Sequence, residues 1–167
     1  IYDKLITADL LQNVVSENKT VSSDAERDML VATIALKYTQ SNSICMALDG
    51  QVIGNGAGQQ NRLACTDIAA GKAEAWYLRQ HPDILGLQFK KGLKRPEKIN
   101  AIEAYLRGDM SEQERGLWQV NFEVVPEPLS AEKRREWIDQ LQGVVLSSDA
   151  FIPFRDNVDR AVKSGVG

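Results

Sequence analysis

The order of its apolar patterns constrains this chain most, because short extended patterns alternate with longer helical ones. Residues 43–48 and 51–54 are typical of two strands joined by a tight turn at Asp49-Gly50. Residues 144–146 predict a further short, buried strand that leads into a serine-rich loop. Strands that alternate with helices predict an α/β fold with a layered sheet.

Five helical patterns accompany these strands. The first is predicted to begin at a capping box of Ser23 and Glu26 and to end near Tyr38. Four apolar residues fall three or four positions apart and should share a face of this helix: Ala25, Met29, Ala32 and Leu36. The later helices are predicted over residues 62–80, from Pro96 to Gly108, from Ser130 to Gly143, and through Val158 and Ala161.

Composition indicates a soluble domain with a real core, since 43% of the 167 residues are hydrophobic and 26% are charged. A net charge of −3 argues against a nucleic-acid surface, and the apolar runs are too short to cross a membrane. Cys45 and Cys65 form no Cys-x-x-Cys pair, which predicts buried free thiols in a reducing cytoplasm. We expect residues 1–167 to be a single domain whose first residue, Ile1, is a cut end.

A glycine-rich segment follows the second strand and precedes a long helix. Gly54, Gly56 and Gly58 predict a flexible loop, and amides at the start of the helix favour an anion that Arg62 can contact. The spacing excludes a dinucleotide fingerprint because position 59 is glutamine. The alternative is an ordinary loop with a surface arginine.

Two further segments carry chemistry-bearing side chains. Residues 148–157 combine phenylalanine, proline and carboxylates, a mixture that can stack a flat heterocycle and bond its edge. Alternatively, the phenylalanines plug the core while Asp156 caps the next helix. Residues 37–43 end one helix and enter a strand, where hydroxyls and an amide either coordinate a ligand or simply cap and turn the backbone.

Other catalytic classes find little support. His81 is the single histidine, so no Ser-His-Asp triad is convincing, and we expect it to have a structural role at a helix end. The His-x-Glu and Pro-Cys-x-x-Cys motifs of zinc nucleobase deaminases do not occur, so no zinc is expected.

These segments resemble AICAR transformylase, the formyltransferase of purine biosynthesis that is fused to IMP cyclohydrolase in most organisms. Five motifs carry the resemblance: Val31-Ala32-Thr33-Ile34, Lys37-Tyr38-Thr39-Gln40-Ser41-Asn42-Ser43, Gly56-Ala57-Gly58-Gln59-Gln60, Ser147-Ser148-Asp149-Ala150-Phe151 and Pro153-Phe154-Arg155-Asp156-Asn157-Val158-Asp159. The resemblance covers the later part of the transformylase region and none of the cyclohydrolase domain. It implies a three-layer α/β/α fold like that of cytidine deaminases, incomplete at both ends.

The implied reaction moves a formyl group from 10-formyltetrahydrofolate to the amine of 5-aminoimidazole-4-carboxamide ribonucleotide (AICAR). The resemblance assigns Asn42, Arg62 and Phe151 to the nucleotide, with Asn42 positioning the substrate for catalysis. It assigns four residues to the folate: Leu63, Phe151, Asp156 and Asn157. Thr39, Ser41, Ser43 and Asp149 are similar to the positions around a structural potassium ion, so we expect Asp149 within about 8 Å of residues 39–43.

The resemblance also implies partners outside this chain. Family members are homodimers, and their catalytic Lys-His pair lies upstream of Ile1, so the chain alone is expected to be inactive. Two alternatives stay open at this stage. One is a non-catalytic binding or assembly module, such as one part of a split enzyme, and the other is a deaminase relative that shares the layered fold.

Overall fold

The computed structural model describes residues 5–167, which form α helices and a small β sheet in two compact units. One unit comprises the residues up to Glu74 together with Asp139–Gly167, and the other comprises Ala75–Ile138. Within the described range, no helix is both long enough and apolar enough to cross a membrane. That residues 1–167 form one partial transformylase domain stays a prediction.

Helix α1 spans Ser23–Lys37 in the first unit. The predicted capping box is off by one residue, because the side chain of Ser22, not Ser23, accepts a hydrogen bond from the Ala25 amide at 3.1 Å. Ser22 has extended backbone angles and therefore lies outside the helix, as a capping residue must. The predicted apolar face is confirmed, since Ala32 and Leu36 are buried in a cluster that Ala25 and Met29 flank.

The predicted hairpin is also confirmed. Strand β1 (Ile44–Leu48) pairs antiparallel with strand β2 (Gln51–Gly56). Asp49 and Gly50 both have positive φ, at 51° and 75°, as a two-residue turn of this hand requires. Strand β2 is two residues longer than predicted.

The hairpin turn is held by Asp28, a buried carboxylate on α1. Its two oxygens accept the amides of Asp49 at 2.9 Å and Gly50 at 2.6 Å, and Arg27 donates to it at 2.9 Å. Burial alone would raise the pKa of the Asp28 carboxyl, but these hydrogen bonds outweigh burial and leave the pKa below its ordinary value of 3.8. The ionised carboxylate therefore ties α1 to the turn.

Asp28→Asn should lower the free energy of unfolding by about 2 kcal/mol at neutral pH, because the amide presents one acceptor instead of two and no charge. The folded-state pKa is depressed, so the stability that Asp28 contributes is present above 3.8 and is lost as the pH falls through the lower folded value. Urea unfolding of both proteins between pH 7 and pH 2.5 measures this. A difference that does not shrink in acid would contradict it.

A third strand completes the sheet. Strand β3 (Val145–Ser148) pairs antiparallel with β1, so the strand order is β2-β1-β3. The strand predicted at residues 144–146 is thus present, but it begins one residue later and ends two residues later. The sheet is small and antiparallel, and the α/β class is confirmed.

Helix α2 (Arg62–Leu78) packs closely on β2. The prediction that Gly54 and Gly56 lie in a flexible loop is wrong, because both are in β2 and only Gly58 follows the strand. A β-carbon on Gly54 would stand 2.0 Å from the Ala69 carbonyl oxygen, and one on Gly56 would stand 2.1 Å from that of Cys65. These glycines bring a helix backbone, rather than a ligand, close to the strand.

The two faces of the sheet are covered by different helices. Cys45 and Ala47 belong to the α1 cluster, so the alternate residues of β1, Ile44 and Met46, face the opposite way. Gly56 and Gly54 are their direct partners on β2 and contact α2, which places α1 and α2 on opposite faces.

Helix α7 (Arg155–Val162) joins α2 on its face of the sheet. The Thr66 hydroxyl bonds the Asn157 side-chain oxygen at 3.1 Å, and both residues are buried. Arg160 adds ion pairs to Asp67 at 3.1 Å and Glu74 at 2.8 Å. Helix α7 therefore fixes the loop that precedes it against the start of α2.

The second unit contains four shorter helices: α3 (Pro82–Leu85), α4 (Arg95–Arg107), α5 (Glu112–Gln119) and α6 (Ala131–Ile138). Gly108 ends α4 with a φ of 73°, and Ser130 caps α6, as predicted. Helix α6 ends five residues before Gly143, where a longer helix was predicted. The core of the second unit contains the rings of Tyr105, Trp118 and Phe122.

Candidate functional site

Three of the segments singled out by sequence meet at Arg62, the first residue of α2. Its guanidinium donates to the Ser43 carbonyl at 2.9 Å and to the Asn42 side-chain oxygen at 3.1 Å, and it forms an ion pair with Asp149. The Arg62 side chain is only 7% exposed. The segment directly before β1, the start of α2 and the loop after β3 are thus joined by one buried cation.

Asp149 is the anionic counterpart of Arg62. Its Oδ1 also accepts the Ser43 amide at 3.1 Å, and the Asp149 amide donates back to the Ser43 carbonyl at 3.3 Å. Burial would raise the pKa of the Asp149 carboxyl, but hydrogen bonds from Ser41, Arg62 and Ser43 outweigh it and hold the pKa below its usual range. The expected proximity of Asp149 to residues 39–43 is therefore confirmed, whereas a bound ion stays a prediction.

Asn42 is held at both ends of its side chain. Its Nδ2 donates to the Gln59 carbonyl at 3.0 Å, while its Oδ1 accepts from Arg62. The backbones of Asn42 and Gln59 also exchange hydrogen bonds, at 3.3 and 3.4 Å. The Cys65 thiol donates to the Asn42 carbonyl at 3.0 Å. Asn42 therefore has one fixed orientation in this cluster.

The start of α2 differs from the anion site that its sequence predicted. The side chain of Asn61 accepts the Ala64 amide at 2.8 Å and so caps the helix. Arg62 points into the protein, where its guanidinium bonds Asn42, Ser43 and Asp149. The alternative of a surface arginine is wrong, since Arg62 is buried.

One of the expected potassium ligands, Ser43, has a buried hydroxyl group without a hydrogen-bond partner in residues 5–167. Among the described residues, the Ser43 hydroxyl has no hydrogen-bond partner, and neither does the Asn55 side-chain oxygen. The Thr39 hydroxyl donates to the Ala35 carbonyl at 2.7 Å and accepts from Asn55 at 3.2 Å. The free Ser43 oxygen is compatible with a cation that prefers neutral oxygen ligands. No group of three His, Cys, Asp or Glu suited to a metal occurs in residues 5–167.

The aromatic loop after β3 presents its rings to solvent. Phe151 is 81% exposed and Phe154 is 70% exposed, so the alternative that they plug the core is wrong. Phe154 occupies the cap position of α7 without a side-chain hydrogen bond, and Asp156 lies inside the helix, so Asp156 is not its cap. Leu63 is half-buried at the start of α2.

The two polar residues assigned to the folate have different environments. Asp156 is exposed, and its Oδ1 accepts both the amide and the side-chain Nδ2 of Asn157 at 2.7 Å. Asn157 itself is only 2% exposed and bonds Thr66. Asp156 is thus accessible to a ligand, while Asn157 orients Asp156 and anchors the loop.

The remaining candidate residues have structural contacts. His81 accepts the Asp83 amide at 3.0 Å, which caps α3, and its ring meets the Trp137 ring edge at 4.9 Å, as its predicted structural role requires. Cys45 and Cys65 are buried free thiols, as predicted. Burial raises the pKa of both, that of Cys45 to about 11.

Sequence reasoning missed three contributors to the cluster. Gln59 and Cys65 hold Asn42, and Asn55 bonds Thr39. Gln59 lies within a motif that carried the resemblance, so its position was available as a signal. Asn55 has a weaker signal: it is a polar residue in the interior of a strand, beside a buried helix end.

Comparison with known proteins shows which proteins this chain is similar to. A family model described as AICARFT/IMPCHase bienzyme matches residues 2–72. A bifunctional purine biosynthesis protein PurH from Oceanobacillus iheyensis is 28% identical over 152 residues, which are 91% of this chain and 17% of that protein. PurH from Xanthomonas campestris pv. campestris is 30% identical over 149 residues, which are 89% of this chain and 17% of that protein.

The family model covers the part of the cluster that comes from the first half of the chain. The family model covers Asn42, Ser43 and Arg62, and the PurH alignments extend over about nine-tenths of the chain. The chain spans about one sixth of the length of these curated relatives. The resemblance first seen in the motifs at residues 31–43 and 56–60 is therefore confirmed: residues 2–72 are similar to the AICARFT/IMPCHase bienzymes, and most of the chain is similar to a part of PurH proteins.

Proposed function

We propose that this chain contributes to formyl transfer from 10-formyltetrahydrofolate to AICAR, a step of purine (IMP) biosynthesis. The convergence of Asn42, Arg62 and Asp149 carries the proposal, because Asn42 and Asp149 come from two motifs shared with transformylases and Arg62 lies two residues after a third. The likeness to PurH proteins adds support for a role in purine biosynthesis.

The chemistry requires strict positioning. The AICAR amine is a weak nucleophile because it conjugates with the carboxamide, so it must be oriented against the formyl carbon while a base removes its proton. Asn42 is proposed to orient the amine and carboxamide. Its two hydrogen bonds, to Gln59 and Arg62, fix the amide before substrate binds. Arg62 is then a positioning residue that sets Asn42 and the backbone of Ser43.

The exposed loop after β3 is proposed as the folate side of the site. The Phe151 ring is available to pack on a planar ligand at the junction of folate and nucleotide. Leu63 contributes apolar contact, and Asp156 offers a carboxylate edge to the pterin, with Asn157 holding that carboxylate in place. Different residues therefore contact the ligand and anchor the loop.

We propose that the remaining catalytic groups lie outside this chain. The only histidine, His81, follows Gln80, so this sequence holds no Lys-His pair to act as base and oxyanion stabiliser. We assign that pair to a different part of the enzyme or to a second subunit of a homodimer.

We also propose that the enzyme is cytoplasmic. The fold that we propose for it is the three-layer α/β/α arrangement of cytidine deaminases.

A structural potassium ion is proposed beside the cluster. Thr39, Ser41, Ser43 and Asp149 would hold it through side-chain and backbone oxygens, and its role is to fix the end of α1 against β1. The chain should therefore melt at a higher temperature in potassium chloride than in choline chloride at equal ionic strength. Ser43→Ala should remove that difference, and Ser16→Ala, which alters an exposed serine elsewhere in the chain, should not. Identical melting in both salts would exclude the ion.

The decisive experiment is a formyl-transfer assay on the purified chain, alone and with the Lys-His segment of a complete transformylase supplied in trans. We expect a rate lower than that of the complete enzyme by a factor of at least 10² to 10⁴, the usual contribution of a positioned base. Turnover close to the complete enzyme from the chain alone would refute this. In a reconstituted enzyme, Asp156→Ala should raise the folate KM far more than the nucleotide KM.

A binding or assembly module is the second candidate function. The observation that favours it is that Arg62 is buried and bonds Ser43, Asn42 and Asp149, as a residue that organises structure would. If calorimetry shows that the chain binds AICAR while the Lys-His segment fails to restore turnover, the chain is a binding module rather than part of the enzyme.

A further inference from the structure

Thr66 is a polar residue of α2 whose side chain is completely buried. Its hydroxyl oxygen lies 3.1 Å from two acceptors, the backbone carbonyl of Arg62 and the side-chain oxygen of Asn157 on α7. A hydroxyl group carries one proton, so it can donate a full hydrogen bond to only one of them. The role of Thr66 therefore depends on which acceptor needs that proton.

The Asn157 oxygen is the acceptor that needs it. Arg62 lies four residues before Thr66 in the same helix, so its carbonyl already accepts the Thr66 backbone amide. Within residues 5–167, by contrast, Thr66 alone is described as a donor to the Asn157 Oδ1, and Asn157 is only 2% exposed. Buried acceptors are nearly always paired, so the hydroxyl proton is directed at Asn157.

This hydrogen bond fixes which way the Asn157 side-chain amide faces. Because Oδ1 faces Thr66, Nδ2 donates to the Asp156 carboxylate at 2.7 Å and to the Phe154 carbonyl at 3.4 Å. The reverse orientation would set the amide oxygen against the Asp156 carboxylate, which is two acceptors without a proton between them. Without the Thr66 hydroxyl, either orientation leaves the buried Asn157 oxygen without a donor.

We propose that Thr66 is a positioning residue for the folate side of the site, a role that rests on the folate contact proposed for Asp156. Thr66 orients the Asn157 amide, and that amide in turn holds the exposed Asp156 carboxylate. The Thr66 hydroxyl approaches Arg62 at the backbone carbonyl and not at the guanidinium that bonds Asn42. Thr66 therefore affects folate binding and leaves nucleotide binding unchanged.

The first measurement is hydrogen exchange by NMR on the chain itself, which requires no catalysis. The side-chain amide protons of Asn157 should exchange at least tenfold faster in Thr66→Val, which keeps the shape of threonine without its hydroxyl, than in the parent chain. Thr66→Ser keeps the donor and should exchange like the parent. The backbone amide of Met46 in β1 is the control, because faster exchange there as well would report a general loss of stability. Equal exchange of Asn157 in Thr66→Val and the parent overturns the proposal.

The second measurement is steady-state kinetics of a reconstituted enzyme. Thr66→Val should raise the folate KM about tenfold, as expected for the loss of one buried hydrogen bond, and leave the nucleotide KM within about twofold. In an Asp156→Ala background, Thr66→Val should change the folate KM by less than about twofold, because the carboxylate through which it acts is gone. Equal increases in both KM values, or a tenfold effect that persists without Asp156, overturn the proposal.

A failure of the proposed function gives a different result. If Asp156→Ala alone leaves the folate KM unchanged, the folate contact is wrong, and Thr66 has no part in folate binding even where hydrogen exchange shows that it orients Asn157. If Asp156→Ala raises the folate KM and Thr66→Val does not, only the role of Thr66 is wrong.

Discussion

Arg62→Ala should lower the free energy of unfolding by about 3 kcal/mol, because it leaves the Asp149 carboxylate without its partner. Breaking a buried ion pair typically costs about 3–5 kcal/mol. The lower end applies here, since the Asp149 side chain keeps 16% of its surface exposed. The Ser43 carbonyl and the Asn42 side chain lose a donor as well. Chemical denaturation measures the loss directly.

A matched control is available in Arg155→Ala. Arg155 forms an ion pair with Asp159 at 3.1 Å within α7, but the Arg155 side chain is 89% exposed. Exposed pairs of this kind contribute little, so this variant should unfold like the parent chain. Equal losses for the two variants would show that the Arg62 pair does not organise the cluster.

The loss of unfolding free energy in Arg62→Ala should depend on pH and should be smaller in acid. The folded-state pKa of Asp149 is depressed, so its contribution to stability is present above the ordinary value of 3.8 and disappears as the pH falls through the folded value. The difference between Arg62→Ala and the parent chain should therefore narrow in acid. In a complete enzyme, Arg62→Ala should also raise the nucleotide KM, by a factor that corresponds to roughly 2 kcal/mol, because Asn42 loses its orientation.

Gly56→Ala should destabilise the chain by about 3 kcal/mol or more, through a clash rather than a lost contact. The new β-carbon would stand 2.1 Å from the Cys65 carbonyl oxygen and 3.1 Å from the Cys65 α-carbon. These are backbone atoms of α2, so they cannot rotate away as a flexible side chain would. Overpacking a core usually costs about 1–3 kcal/mol, and the upper end applies where a whole helix must shift.

Gly71→Ala makes the same substitution within α2 itself, where it causes no clash. No atom lies within 4 Å of a β-carbon built at Gly71. Alanine is the better helix former, so this variant should be more stable by about 0.5–1 kcal/mol. If Gly56→Ala and Gly71→Ala are both more stable than the parent chain, β2 and α2 do not pack as closely as described.

Local patterns in the sequence determined much of the fold of this chain. The apolar spacing of α1, the Asp49-Gly50 turn and the αL position of Gly108 are each decided by residues within a few positions, and all three are present. The short helix α5 was missed although Ser111 and Glu114 form a capping box at its start. That signal is local and was available in the sequence.

The sequence alone also carried the resemblance to AICAR transformylase, because long motifs in a fixed order are specific. It singled out Asn42 and Arg62 for the nucleotide and Asp149 for an ion, and the structure brings all three together. It did not determine the direction of the Arg62 side chain, since a glycine-rich segment before a helix is compatible with an arginine turned outward or inward. The distant Asp149 decided this, as a buried guanidinium needs an anion.

Tertiary packing decided the features that depend on contacts far apart in the chain. Gly54 and Gly56 are flexible in isolation, yet the approach of α2 makes them rigid members of β2. Asp28 is one more polar residue of an amphipathic helix until the hairpin turn, 21 residues later, places two amides on its carboxylate. Propensity and spacing act over a few residues, whereas burial and ion pairing act between surfaces that exist only after the chain has folded.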